Sequence, residues 1–109
     1  MANPWRGEVA LVLDGERQVM RLTLGALAEL EAGLGEETLV GLIARYEEGR
    51  HSARDVIALL VAGLRGGGWR GRAEELAAAS IEGGPLAASR AAAELLARAF
   101  TVPGAGGDG

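Results

Sequence analysis

An Asp-Gly pair at positions 14 and 15 is flanked on both sides by apolar residues at every second position. Val9, Leu11 and Leu13 precede it, and Met20, Leu22 and Leu24 follow it. Alternation of period two on either side of Asp-Gly is the strongest short-range signal for a β-hairpin. A two-residue loop at Asp14-Gly15 predicts that Leu11 faces Gln18 and Val9 faces Met20. One face then carries Val9, Leu11, Leu13, Met20, Leu22 and Leu24. The other is mixed, with Glu8, Arg17, Arg21 and Thr23 among Ala10, Val12 and Val19. A two-stranded hairpin is marginal by itself in water. The remaining chain, or a second copy, is therefore expected to cover the apolar face.

The rest of the chain reads as short helices. Leu24, Leu27, Leu30 and Leu34 recur at helical spacing, which predicts a first helix over about Gly25 to Gly33. Thr23 or Gly25 stands near its N-cap, and Gly33 and Gly35 are its candidate stops. A second helix is predicted over Glu36 to Glu48, with Thr38 as candidate N-cap, a stripe of Leu39, Leu42, Ile43 and Tyr46, and Gly49 as its end. Ser52 to Leu64 carries the clearest start signal: Ser52 as N-cap with Asp55 three residues on, close to a capping box. Val56, Ile57, Leu59, Leu60, Val61 and Leu64 cover most of its circumference, so this helix is expected to be the most buried and to pack on the hairpin. A fourth helix is predicted over Arg72 to Glu82, with Leu76 and Ile81 as its large apolar residues. A fifth follows Pro85 to about Phe100, with Leu86, Leu95 and Leu96.

The expected fold class is thus α+β, an N-terminal β-hairpin packed on a bundle of four to five short α-helices. The 109 residues make one domain, over about 1–100, followed by a Gly-rich tail at 101–109 that composition marks as disordered. A chain of this length buries roughly 65% of its unfolded surface. Apolar residues make up 49% of it, but many are Ala and only 4% are aromatic, so the core is expected to be thin and self-association is expected. Trp5, in the lead-in segment, is expected to anchor that segment on the body.

Charge and residue usage exclude several chemistries. The formal charge is −4, a poor footprint for nucleic acid, so no nucleic-acid partner is expected. Cys is absent, which leaves no thiolate nucleophile and no Cys-based metal site. No apolar run is long enough to span a membrane and the first residues do not resemble a signal peptide, so a cytoplasmic protein without membrane contact is expected. His51 is the single histidine and no acid or nucleophile is placed with it by a recognisable motif, so it reads as an exposed loop residue. The adjacent acids Glu36-Glu37, Glu47-Glu48 and Glu74-Glu75 read as solvated surface, since sequence neighbours do not share a helix face. No cofactor and no enzymatic activity are expected.

One stretch reads as a partner contact. Arg65-Gly-Gly-Gly-Trp-Arg-Gly-Arg72 places Trp69 among Arg65, Arg70 and Arg72, and Trp and Arg are enriched at interface hot spots. The three glycines predict a flexible connection. The phosphate-loop pattern is absent, and no strand precedes the stretch. The alternative for Trp69 is a ring folded back on the core. A hairpin edge left open to strand addition is the other candidate contact.

The run from Gly7 to Arg17, Met20-Arg-Leu-Thr-Leu-Gly-Ala-Leu-Ala-Glu-Leu-Glu31, Ser52-Ala-Arg-Asp-Val56, Ala62-Gly-Leu-Arg-Gly-Gly-Gly68 and Leu95-Leu-Ala-Arg-Ala-Phe100 resemble the small tail-assembly family of gene transfer agents and related tailed phages. The resemblance covers about residues 7 to 100. It implies a tail assembly chaperone that binds the tape measure protein during tail morphogenesis, with the tail tube subunit as a further candidate partner. The alternative it leaves open is a structural tail or tail-tube component retained in the particle.

Overall fold

A computed structural model describes residues 7–35 and 37–100. The order of elements is β1 (Glu8–Leu13), β2 (Glu16–Arg21), α1 (Leu24–Gly33), α2 (Leu39–Glu47), α3 (Ala53–Gly66), α4 (Ala73–Ala78) and α5 (Gly84–Phe100). The fold is α+β: an antiparallel hairpin, then five helices. The expectations for Trp5, for Glu36 and for the tail at 101–109 lie outside the described residues.

The hairpin has the register that its alternation predicts. Leu11 pairs with Gln18 and Val9 with Met20, and Leu13 and Glu16 close the loop. Asp14 and Gly15 both have positive φ, at 51° and 81°, as a type I′ turn requires. Val9, Leu11, Leu13 and Met20 are buried beneath α3 and α5, with α3 lying along β2 and α5 along β1. Leu59, Leu60, Leu64, Ala92 and Leu95 complete this core. Six buried residues lie on α3, more than on any other helix described.

Leu24 departs from the apolar face assigned to it. Strand pairing ends at Arg21, and the Thr23 side chain accepts from Ala26 N at 3.0 Å to start α1 at once. The helical phase set by that cap turns Ala26 and Leu30 inward and leaves Leu24 84% exposed. Leu22, Leu27 and Leu34 are half-buried.

The fourth helix is also shorter than predicted. It ends at Ala78, and Ala79 takes an extended backbone (ψ 159°). The next three residues run along the outer edge of β1 instead. Asp14 N donates to Ser80 O at 2.8 Å, Glu82 N to Val12 O at 3.1 Å, and Ser80 N to Asp14 Oδ1 at 2.9 Å. Ile81 bridges to Leu13 and packs on the core. Edge hydrogen bonds and one half-buried side chain here outweigh the local helix propensity.

The glycines after α3 are not a loose connection. A Cβ on Gly66 would lie 1.9 Å from the Arg21 carbonyl oxygen, and one on Gly67 would lie 1.9 Å from that of Val19. The end of α3 therefore runs against the outer edge of β2, at a separation only glycine permits. Gly67 caps α3, and Trp69 N donates back to Leu64 O at 2.9 Å. The chain from α3 through α4 to Glu82 thus meets the β2 edge at Gly66 and Gly67 and the β1 edge at Ser80 to Glu82.

Candidate partner-binding surface

The predicted contact residues sit together on the loop between α3 and α4, but they do not converge on one point. Trp69 is half-buried and packs on the core. Its ring lies so close over Gly71 that a Cβ there would meet it at 2.1 Å. Arg65 turns back across the loop, donating to Gly71 O at 3.2 Å and to Glu29 Oε1 on α1 at 3.2 Å. Arg70 and Arg72 are exposed. The Arg72 backbone N–H donates to Glu75 Oε1 at 2.7 Å and so starts α4. Trp69→Ala is expected to cost about 1–3 kcal/mol through lost packing, measured by urea denaturation. A loss below about 0.5 kcal/mol would instead mark the ring as free for a partner.

Neither hairpin edge offers a long open ladder. Ser80 to Glu82 occupy the turn end of the β1 edge, and Gly66 and Gly67 stand against Val19 and Arg21 on the β2 edge. Strand addition is the mode of contact that this arrangement obstructs.

Two clefts between helices are open and largely apolar. One, of about 280 Å³, is lined by Val56, Ile57 and Leu60 of α3, Leu76 of α4, Ile81, and Ala88 of α5. Leu86, 63% exposed, stands one residue from its Pro85 wall. The other, of about 350 Å³, lies between α2 and α5 and is lined by Ile43, Tyr46, Ala93, Leu96, Ala97 and Phe100. Val40 and Phe100 add exposed apolar surface on the same two helices. Reasoning from the sequence missed both clefts. Their signal was present in the alanines of α5, which place no bulk between the larger residues on either side.

A polar clasp joins α2 to α3. Arg45 Nε and Nη2 donate to the two carboxylate oxygens of Asp55, at 3.0 and 2.9 Å, and Nη1 pairs with Glu37. Asp55 also accepts from Ser52 N at 2.9 Å, while Asp55 N donates to Ser52 Oγ at 3.2 Å. This is the capping box expected from the sequence, with a second task that the spacing did not reveal. The Arg45 guanidinium, helped by the Ser52 amide, holds the Asp55 carboxyl below the usual carboxylate range against the opposing effect of burial. A depressed carboxyl stabilises the fold fully above its unfolded value of about 3.9 and loses that contribution as pH falls through the lower folded value. Asp55→Asn is therefore expected to flatten the acid side of the stability profile below about pH 4, as read by chemical denaturation. Asp55→Ala, which also removes the cap, is expected to cost about 2–4 kcal/mol near neutral pH.

His51 is not the exposed loop residue that the sequence suggested. Its ring stacks on Tyr46 with centroids 4.1 Å apart and planes 6° from parallel, and Nε2 lies 2.9 Å from Ser89 Oγ on α5. Capping of α3 at Ser52 turns the preceding residue inward, where the flat ring covers the Tyr46 face. Burial pushes the Tyr46 phenol up, and the Asp55 charge adds to it. Of the adjacent acids, those described are exposed, yet several have partners: Glu37 pairs with Arg45, Glu48 with Arg50, and Glu75 caps α4.

The build is that of a small domain with apolar clefts between short helices and a hairpin closed along much of both edges. A family model described as "Phage tail tube protein, GTA-gp10" matches residues 6–102. The chain belongs to that gene transfer agent and phage tail family, and a role as a tail protein follows. A search of curated proteins and a search of solved structures each return no match. No helix among the described residues is long and apolar enough to cross a membrane.

Proposed function

We propose that this chain is a non-enzymatic tail assembly chaperone that binds the tape measure protein in the cytoplasm during tail morphogenesis. Family membership supplies the setting. The observation that favours a chaperone is the pairing of closed edges with open clefts. A subunit that polymerises into a tube through its sheet needs edges free to pair with its neighbours. Here much of both edges is occupied from within the chain, while two apolar clefts stay accessible between helices. Clefts of that kind suit an amphipathic helix, the conformation a long client presents along its length. Arg70 and Arg72 are the exposed polar contacts offered on the loop between α3 and α4, with Trp69 and Arg65 shaping that loop. Self-association along the client, and contact with the tail tube subunit, belong to the same reading. It requires no cofactor, nucleic acid or membrane.

The family's own description favours a second reading, a tail-tube or other structural component retained in the particle. Co-expression of the tagged full-length chain with the tape measure protein of its own gene cluster separates the two. A soluble complex with several copies per client, by light scattering, is the expected result. A lone chain beside an insoluble client would overturn the chaperone reading. Recovery of the chain from purified particles at ring-like copy number would establish the structural one.

A further inference from the structure

α2 is attached to the domain by less than its neighbours are. Leu42 is its only fully buried residue, with Leu39, Ile43 and Tyr46 half-buried. Among the described elements it alone has no extended close backbone packing against another. Its helix-starting contacts are internal: Thr38 Oγ1 accepts from Gly41 N at 3.0 Å, and Glu37 pairs with Arg45. Two polar links tie it down. Arg45 grips Asp55 on α3, and His51, stacked on Tyr46, reaches Ser89 on α5. On either side stand Gly35 and Gly49, both with left-handed φ, at 68° and 72°. Among the described residues, two buried polar atoms of this seam have no hydrogen-bond partner, the Tyr46 hydroxyl and His51 Nδ1. Such groups penalise the closed position and regain hydrogen bonds to water when it opens.

We propose that α2, Leu39–Glu47, is a detachable flap, which leaves α3 and α5 as one unit while the hairpin, α1, α3 and α5 stay folded. Detachment uncovers Leu42 and opens the α2–α5 cleft along Leu96. The apolar surface on that side is then set by a conformational equilibrium and is not constant. This does not depend on which tail role the chain performs.

Native-state hydrogen exchange of the full chain tests the flap. A nine-residue helix freed from its packing is marginal in water, so its amides exchange while it is detached. Interior amides of α2, from Ile43 to Tyr46, are expected to share one opening equilibrium and to exchange at least about tenfold faster than those of Leu59 to Leu64 on α3. Leu30→Val on α1 weakens packing that persists in both positions of the flap. It is expected to raise exchange on α3 about fivefold and leave α2 unmoved. Three results would overturn the proposal: α2 exchanging no faster than α3, α2 rates rising with those of α3 in Leu30→Val, or rates graded from the helix ends, which is fraying.

Discussion

Gly67→Ala is expected to destabilise the domain by about 2–4 kcal/mol, far beyond what a single added methyl costs at an ordinary helix end. The added Cβ would lie 1.9 Å from the Val19 carbonyl oxygen and 3.0 Å from its carbon. Those are backbone atoms of a paired strand, so no side chain can turn aside to make room. Either α3 retreats from β2 or the hairpin is displaced from α3, and both reduce burial of Met20 and Leu64. Gly66→Ala meets the same obstacle at Arg21. Gly33→Ala is the control. Gly33 lies in α1 with no atom of the described residues within 4 Å of a Cβ, and the change is expected to stabilise by about 0.5–1 kcal/mol. Thermal melts of the three variants settle the point. If Gly67→Ala melts with the parent, the glycines are spacers, and the close edge contact contributes little.

Leu60→Ala is expected to cost about 2–5 kcal/mol by urea denaturation, a large share of the 5–15 kcal/mol typical of a whole domain. Leu60 is 1% exposed and stands where α3, α4 and α5 meet. Its truncation removes buried surface and enlarges a cleft whose other walls are held by separate helices, so little collapse can offset the loss. Leu86→Ala, on the exposed side of the same region, is expected to stay within about 0.5 kcal/mol of the parent. Equal effects at the two positions would mean that this corner of the core is loosely packed.

The hairpin was legible because Asp14-Gly15 constrains the turn and the period of two constrains the faces; together they leave one register. The caps at Thr23, Thr38 and Ser52 were legible for a similar reason, since each is satisfied within four residues of chain. His51 was misjudged because its environment is made by Tyr46 and Ser89, the latter 38 residues away in sequence. The candidate surface was only partly visible. Trp69 and its arginines announce themselves by residue type, whereas a cleft is a gap between elements and has no residue of its own.

Local order, then, was determined by the sequence alone: the turn, the strand faces, the caps and the family resemblance all depend on residues near one another in the chain. Tertiary structure decided the rest. It ended α4 at Ala78 and drew Ser80 to Glu82 onto the β1 edge, because backbone hydrogen bonds there exceed what one more helical turn would provide. It gave Gly66 and Gly67 their purpose, because close approach is a property of two segments and not of one. It also assigned Asp55 two partners where the local pattern named one, since a carboxylate at a helix start can serve the cap and still accept from a guanidinium on the preceding helix.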